Sequence, residues 1–217
     1  MSWWRWLRAR HDSPAVDDTR WIVLDVEASG LDASRDRLLA IAALAVAVDD
    51  RQRPRIALAD SFEVVLAQPA DTAPDKANIL LHGIGVGAQS AGVAATAALQ
   101  AFTRFVARSP LVAFHAAFDR TLIERGIGAA GLPRLANPWL DLEPLAAVLH
   151  PQVRARALDD WLAHFRIPCA RRHQAAADTL ATAELLLHLW PTLASQVGTP
   201  RIAAVRALAA SRRWLVR

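Results

Sequence analysis

WIVLDVEASGL, residues Trp21–Leu31, is the stretch on which the reading of the fold turns. Its first six residues are apolar apart from Asp25, which predicts a short buried strand. Side chains two apart on a strand share a face, so Asp25 and Glu27 leave the strand's end together, about 6–7 Å apart. Gly30 and the polar residues through Arg37 predict a turn. Beyond it, LLAIAALAVAV (Leu38–Val48) is ambiguous by periodicity, and its alanines favour helix. A tight connection at Asp49–Pro54 to a third apolar run, Ile56–Leu66, decides for a strand, the middle one of an antiparallel meander.

A loop at Pro69–Pro74, a helix start near Asp75 and a glycine-rich stretch, His82–Gly92, follow. Helix is predicted over Ala94–Ala107, strand over Leu111–Phe114, and helix over Ala116–Arg125 up to Gly126. After a loop at Pro133–Pro138 come a brief strand at Trp139–Leu140, a helix to His150 and another at Leu158–Phe165. A long helix from about Gln174 to Trp190 is expected to stop at Pro191, and a basic helix covers roughly Arg201–Trp214. The sum is α/β: a mixed sheet, antiparallel first and parallel later, flanked by helices.

With 217 residues, 53% of them hydrophobic, and a net charge of only +4, the chain reads as one folded domain rather than a disordered one. No 18-residue stretch is both apolar and free of charge, so no membrane span is expected. The start, MSWWRWLRARHDSP, has arginines inside its apolar run and lacks the core of a secretory leader. A single cysteine, Cys169, excludes an internal disulfide and a cysteine-based zinc cage, and reads as a buried small apolar residue; a cytoplasmic, reducing setting is expected.

The charge is unevenly placed. Residues 1–10 hold Arg5, Arg8 and Arg10 and no acid; beyond Glu184 there are five arginines and no acid; the body between carries 17 basic and 21 acidic residues. An acidic body with basic ends suits an anionic polymer once cations screen the carboxylates. The chain divides into a basic, Trp-rich segment over 1–19, a central domain over 20–195 and a basic terminal helix over 196–217. Trp3, Trp4 and Trp6 fit either packing or a partner surface, whereas Trp21, Trp139, Trp161 and Trp190 read as core.

Three features carry chemistry. Asp25 and Glu27, crowded at the end of an apolar strand, raise each other's pKa, and a divalent cation relieves that conflict; the alternative is a strand running out into a polar turn. Asp119 falls in the first turn of a helix just past a strand, where the helix dipole favours a carboxylate and where α/β sheets also bind ligands. His173 and Asp178 are five apart, about 140° on an ideal helix; His173 on the preceding loop and Asp178 one turn inside would reach one site. Taken singly, each is also an ordinary surface or capping residue.

Together, LDVEASGL (Leu24–Leu31), LHGIG (Leu81–Gly85), LVAFHAAFD (Leu111–Asp119) and RHQAAADTLATAELL (Arg172–Leu186) resemble, in order and spacing, the motifs of the DEDDh-family 3′→5′ exonucleases. The resemblance covers roughly Trp21 to Trp190 and implies a ribonuclease H-like fold with a five-stranded mixed sheet. It implies that Asp25, Glu27, Asp119 and Asp178 hold two Mg²⁺ or Mn²⁺ ions, with Asp25 bridging them, and that His173 is the general base. It also places Ala28, Leu31, His82 and Phe118 beside the terminal nucleotide, although core packing is the preferred reading of Phe118 and His82 reads equally as a loop histidine without a ligand. The substrate implied is the 3′ end of single-stranded or frayed DNA, with a DNA polymerase or another replication or repair protein as partner and no membrane. An RNA-trimming exoribonuclease and a non-catalytic nucleic-acid-binding module of the same fold are the alternatives. Two positions depart from the family pattern: Ala28 stands where Thr is frequent and Ala116 where Asn is frequent, each removing a hydrogen-bonding group near the substrate.

Overall fold

A computed structural model describes residues 15–69 and 76–212. The apolar run at Trp21 forms β1 (Arg20–Ala28), the middle strand of a five-stranded sheet. Antiparallel to it lies β2 (Leu38–Val48), itself paired antiparallel with β3 (Pro54–Val65). On the other side run β4 (Leu111–Ala113) and β5 (Trp139–Asp141), both parallel to β1, giving the order β3-β2-β1-β4-β5. This is the ribonuclease H-like α/β architecture expected.

Around the sheet stand α1 (Lys76–His82), α2 (Val86–Ser90), α3 (Ala95–Val106), α4 (Ala117–Ala129), α5 (Leu142–Leu149), α6 (Leu158–Phe165), α7 (Ala175–Val197) and α8 (Ile202–Ala210). Strand alternation sorts the core into two layers. Trp21, Val23, Leu44, Val46 and Val112 face the helices α5 to α8; Ile22, Leu24, Ile41, Leu111 and Ala113 face α3 and α4. Because both faces are covered, β2 is buried along nearly its whole length and shows no alternation, which is why its periodicity was uninformative. Trp21, Trp139, Trp161 and Trp190 are all buried.

Several boundaries differ from the sequence expectation. α7 does not stop at Pro191 but continues to Val197. The loss of one hydrogen bond and the ring clash cost about 3 kcal/mol. Leu189, Trp190 and Leu193 are all buried beside the proline, and the Trp190 indole N–H donates to Gln52 O at 2.9 Å. Packing on both sides of the break outweighs it. α4 likewise runs past Gly126 to Ala129, and the glycine-rich stretch contains α2. The terminal helix α8 packs Ile202 and Val205 into the same core as α5 and α7, and its expected end at Trp214 lies outside the described residues. Residues 1–14, with Trp3, Trp4, Trp6 and Arg5, Arg8, Arg10, lie outside the described residues, as do Asp75 and 213–217.

Gly92 marks where the α1–α2 segment is stitched to the sheet. Val93 N–H donates to Val65 O and Ala67 N–H to Val93 O, each at 2.8 Å. A Cβ on Gly92 falls 2.5 Å from Ala67 N and 2.6 Å from Leu66 C, both backbone atoms that cannot move aside cheaply. Gly92→Ala is therefore expected to destabilise the fold by about 1–3 kcal/mol, read as a lowered midpoint in urea; an unchanged midpoint refutes the close approach.

Candidate active site

β1 pairs with β4 only through Ile22↔Leu111 and Val23↔Val112, so it outruns its parallel neighbour from Leu24 onward. Asp25 and Glu27 occupy that overhang, opposite Ala42 and Ala40 of β2, and a bulge at Glu27/Ala28 turns the chain away immediately afterwards. The gap beyond β4 is closed by the N-terminus of α4. Its Asp119 is buried, and its carboxylate accepts a hydrogen bond from the Val26 backbone.

From the other layer, α7 brings its N-terminus to the same point. Glu27 accepts a hydrogen bond from the backbone of Ala175, the first residue of α7, while its Oε1 is buried without a hydrogen-bond partner. Asp178, one turn in and buried, accepts the His173 N–H at 3.0 Å. His173 itself stands before the helix with φ of 60°, a left-handed turn that brings its backbone back toward Asp178. The Arg172 guanidinium pairs with Asp178 and also with Asp159 of α6, at 2.5 Å. Cys169, expected as an apolar filler, is half-buried instead, with its thiol 3.5 Å from the Asp178 carboxylate.

All the residues singled out from sequence (Asp25, Glu27, Ala28, Leu31, His82, Phe118, Asp119, His173 and Asp178) line one open cleft of about 500 Å³. Leu31 stands on its rim, 92% exposed. Phe118 packs on the core, as preferred from the sequence, and also lines the cleft. His82 ends α1 and is buried; its Nδ1 accepts the Ile84 N–H at 3.0 Å, its Nε2 has no partner, and burial lowers its pKa.

Electrostatically the cleft is strained. Burial pushes the Asp25 carboxyl well above its usual range, and repulsion from Asp119, Glu27 and Asp178 pushes it further. Burial first, with Asp178 adding, lifts Glu27 to about 7; burial, with Asp141 and Glu27 adding, lifts Asp119 to about 8. Among the described residues no three His, Cys, Asp or Glu side chains already form a cage for a metal ion. Asp178 is turned instead onto Arg172 and the His173 amide. The donor set nonetheless suits a hard divalent cation: clustered carboxylates, one with an orphaned buried oxygen, disfavoured while charged and unscreened.

Other residues that shape the site were not foreseen. Asn78 donates to Ser29 O and ties α1 to the turn after β1. Arg125 of α4 donates to Ala33 O at 2.5 Å and Asp36 O at 2.9 Å, pinning the same turn. Asp141 caps α5 and accepts the N–H of His115, whose φ is 59°. Only Arg172 and Asp141 carried a sequence signal, the former inside the quoted motif and the latter as an acid opening a helix.

Residues 22–186 match the family model RNase_T, described as exonuclease. A DNA polymerase III PolC-type of Clostridium perfringens is 31% identical over 169 residues, covering 78% of this chain and 11% of that protein. A DNA polymerase III subunit epsilon-like protein of Rhodobacter capsulatus is 32% identical over 182 residues, covering 82% of this chain and 25% of the relative. The chain thus spans a quarter or less of the length of these relatives. Among solved structures, the zinc-bound form of the E. coli ExoI–ssDNA complex superposes with a TM-score of 0.67 at 18% identity, over 83% of this chain and 43% of that one, and shares the fold. On the family match over most of its length, this chain belongs to the RNase_T exonuclease family.

Proposed function

We propose that the chain is a metal-dependent 3′→5′ exonuclease that releases nucleoside 5′-monophosphates from single-stranded or frayed DNA 3′ ends. One observation carries this reading: four acids from three distant parts of the chain line one cleft with His173, and three of them resist ionisation there. A structural neighbour solved with single-stranded DNA and zinc, and relatives named as DNA polymerase III proteins, point the same way and suggest a replication or repair setting alongside a polymerase.

In this reading Asp25, Glu27, Asp119 and Asp178 hold two Mg²⁺ or Mn²⁺ ions. When bound, the ions supply Lewis-acid stabilisation of the attacking and leaving oxygens of the phosphodiester. His173 takes the proton of the attacking water on its imidazole. Its backbone tether to Asp178 fixes where that base stands. Leu31, rigidly presented by the pinned turn, wedges against the terminal base, with Phe118, Ala28 and His82 bordering the nucleotide.

Asp25→Asn and His173→Gln are each expected to slow mononucleotide release from a 5′-labelled oligonucleotide by about 100-fold or more, with unchanged circular dichroism. EDTA abolishes release in the wild type and Mn²⁺ restores it. Normal turnover in either variant defeats the assignment.

The raised carboxylates also predict how stability depends on pH without metal. Folded Glu27 and Asp119 keep protons up to about 7 and about 8, which the unfolded chain releases near pH 4. The stability tied to these groups is therefore whole below pH 4 and falls as pH rises to about 8. Asp119→Asn, which keeps an acceptor for Val26, is expected to be more stable than wild type in EDTA at pH 8, by an amount on the order of a few kcal/mol. Unfolding in urea at pH 5 and pH 8 measures it; a variant less stable than wild type at pH 8 contradicts the sign.

A further inference from the structure

A second cleft, of about 490 Å³, is lined in part by the segment that leads into α6. Arg154, Arg156 and Arg212 line it, among Ala147, Val153 and Asp160. Two of these arginines are exposed, and neither Arg154 nor Arg156 has an ion-pair partner among the described residues. Arg212 is held in place by its ion pair with Glu143, a buried residue of α5. The one acid among the described lining residues, Asp160, accepts from the backbone N–H groups of Arg156 and Ala157, at 3.2 and 3.1 Å, and offsets only part of the basic charge.

The two clefts are neighbours along the chain. Ala157, Leu158 and Asp159 line the carboxylate cleft, while Arg156 and Asp160 line the basic one. Four consecutive residues span about 10 Å at most, the reach of a few nucleotides. Asp159, which lines the carboxylate cleft, is engaged by Arg172. A strand whose 3′ end lies among the carboxylates would need to extend only that far for its next phosphates to reach the guanidinium groups of Arg154 and Arg156, the side chains best matched to phosphate oxygens.

We infer that the Arg154–Arg156–Arg212 cleft binds backbone phosphates of the nucleic-acid strand on the 5′ side of the nucleotide being removed. This deepens the exonuclease reading and rests on it.

The test is the salt dependence of binding of a fluorescein-labelled oligo-dT to the full chain, followed by anisotropy in EDTA. Arg154→Gln/Arg156→Gln is expected to reduce the slope of log Kd against log salt by about 1.4, since each single-strand phosphate contact contributes about 0.7. Arg206→Gln, an exposed α8 arginine outside the cleft, provides the control for lost charge and should change it far less. An unchanged slope in the double variant, or an equal drop per charge in the control, overturns the inference. So does inorganic phosphate binding, seen by calorimetry, that the double variant loses while its oligonucleotide slope stays the same; that result assigns a small-anion site. In each of these cases a wild type that still releases mononucleotides leaves the exonuclease reading standing, whereas a wild type that hydrolyses no phosphodiester ends both.

Discussion

β1 runs farther than the strand parallel to it, and the rest of the site follows from that overhang. Beyond Val23 the strand loses its partner on one side while both of its faces remain covered. Asp25 and Glu27 are thus carried by well-packed backbone into a place where water is scarce and the partner strand has ended. Unpaired backbone groups in such a place must find partners. Val26 finds one in Asp119, which draws the start of α4 into the gap; Ala175 finds one in Glu27, which draws in the start of α7. Each of these contacts satisfies a strand or helix amide and, in doing so, adds a carboxylate to the cluster. The crowding of acids is a by-product of the hydrogen bonding that closes the sheet's end, and it raises their pKa values because the closure also excludes water.

Closure needs a frame, supplied by groups with no part in the chemistry. The turn after β1 is gripped from above by Asn78 and from the side by Arg125, while Asp36 accepts from Ser29 Oγ at 3.0 Å and Asp32 N–H at 2.8 Å within it. Asp141 does the same for the β4–α4 junction, fixing the left-handed His115 that aims α4. An exposed leucine such as Leu31 is poorly explained by burial; held on a turn pinned from two sides, it is a presented surface.

The strands and the two parallel additions to the sheet were legible in the sequence because each rests on local patterning, apolar runs bounded by turn residues; the convergence of the acids followed from the resemblance of four motifs to a known family, since each carboxylate taken singly reads also as a surface or capping residue. Asn78, Arg125 and Asp36 were not, since each acts through a backbone carbonyl or amide whose position depends on other elements. Pro191 misled for the same reason in reverse. Its local cost is real, but Trp190 and Leu193 anchor the helix on either side of it, and packing of that kind has no signature at the proline itself. Cys169 was misjudged because its composition-level reading carried no information about the neighbouring Asp178.

Net charge describes this molecule poorly. A body with more acids than bases is an unlikely partner for a polyanion if its charges are averaged, yet they are not averaged. Burial disfavours the charged forms of Asp25, Glu27 and Asp119, Asp159 and Asp178 share Arg172, and Asp160 accepts from helix-capping amides. Pairing with Arg172 offsets part of that negative charge, while Arg154 and Arg156, a few residues before α6, have no ion-pair partner among the described residues. Beyond about 10 Å salt screens what pairing leaves. The field met by an approaching strand is therefore set by which charges are already engaged, and that distribution is a property of the fold.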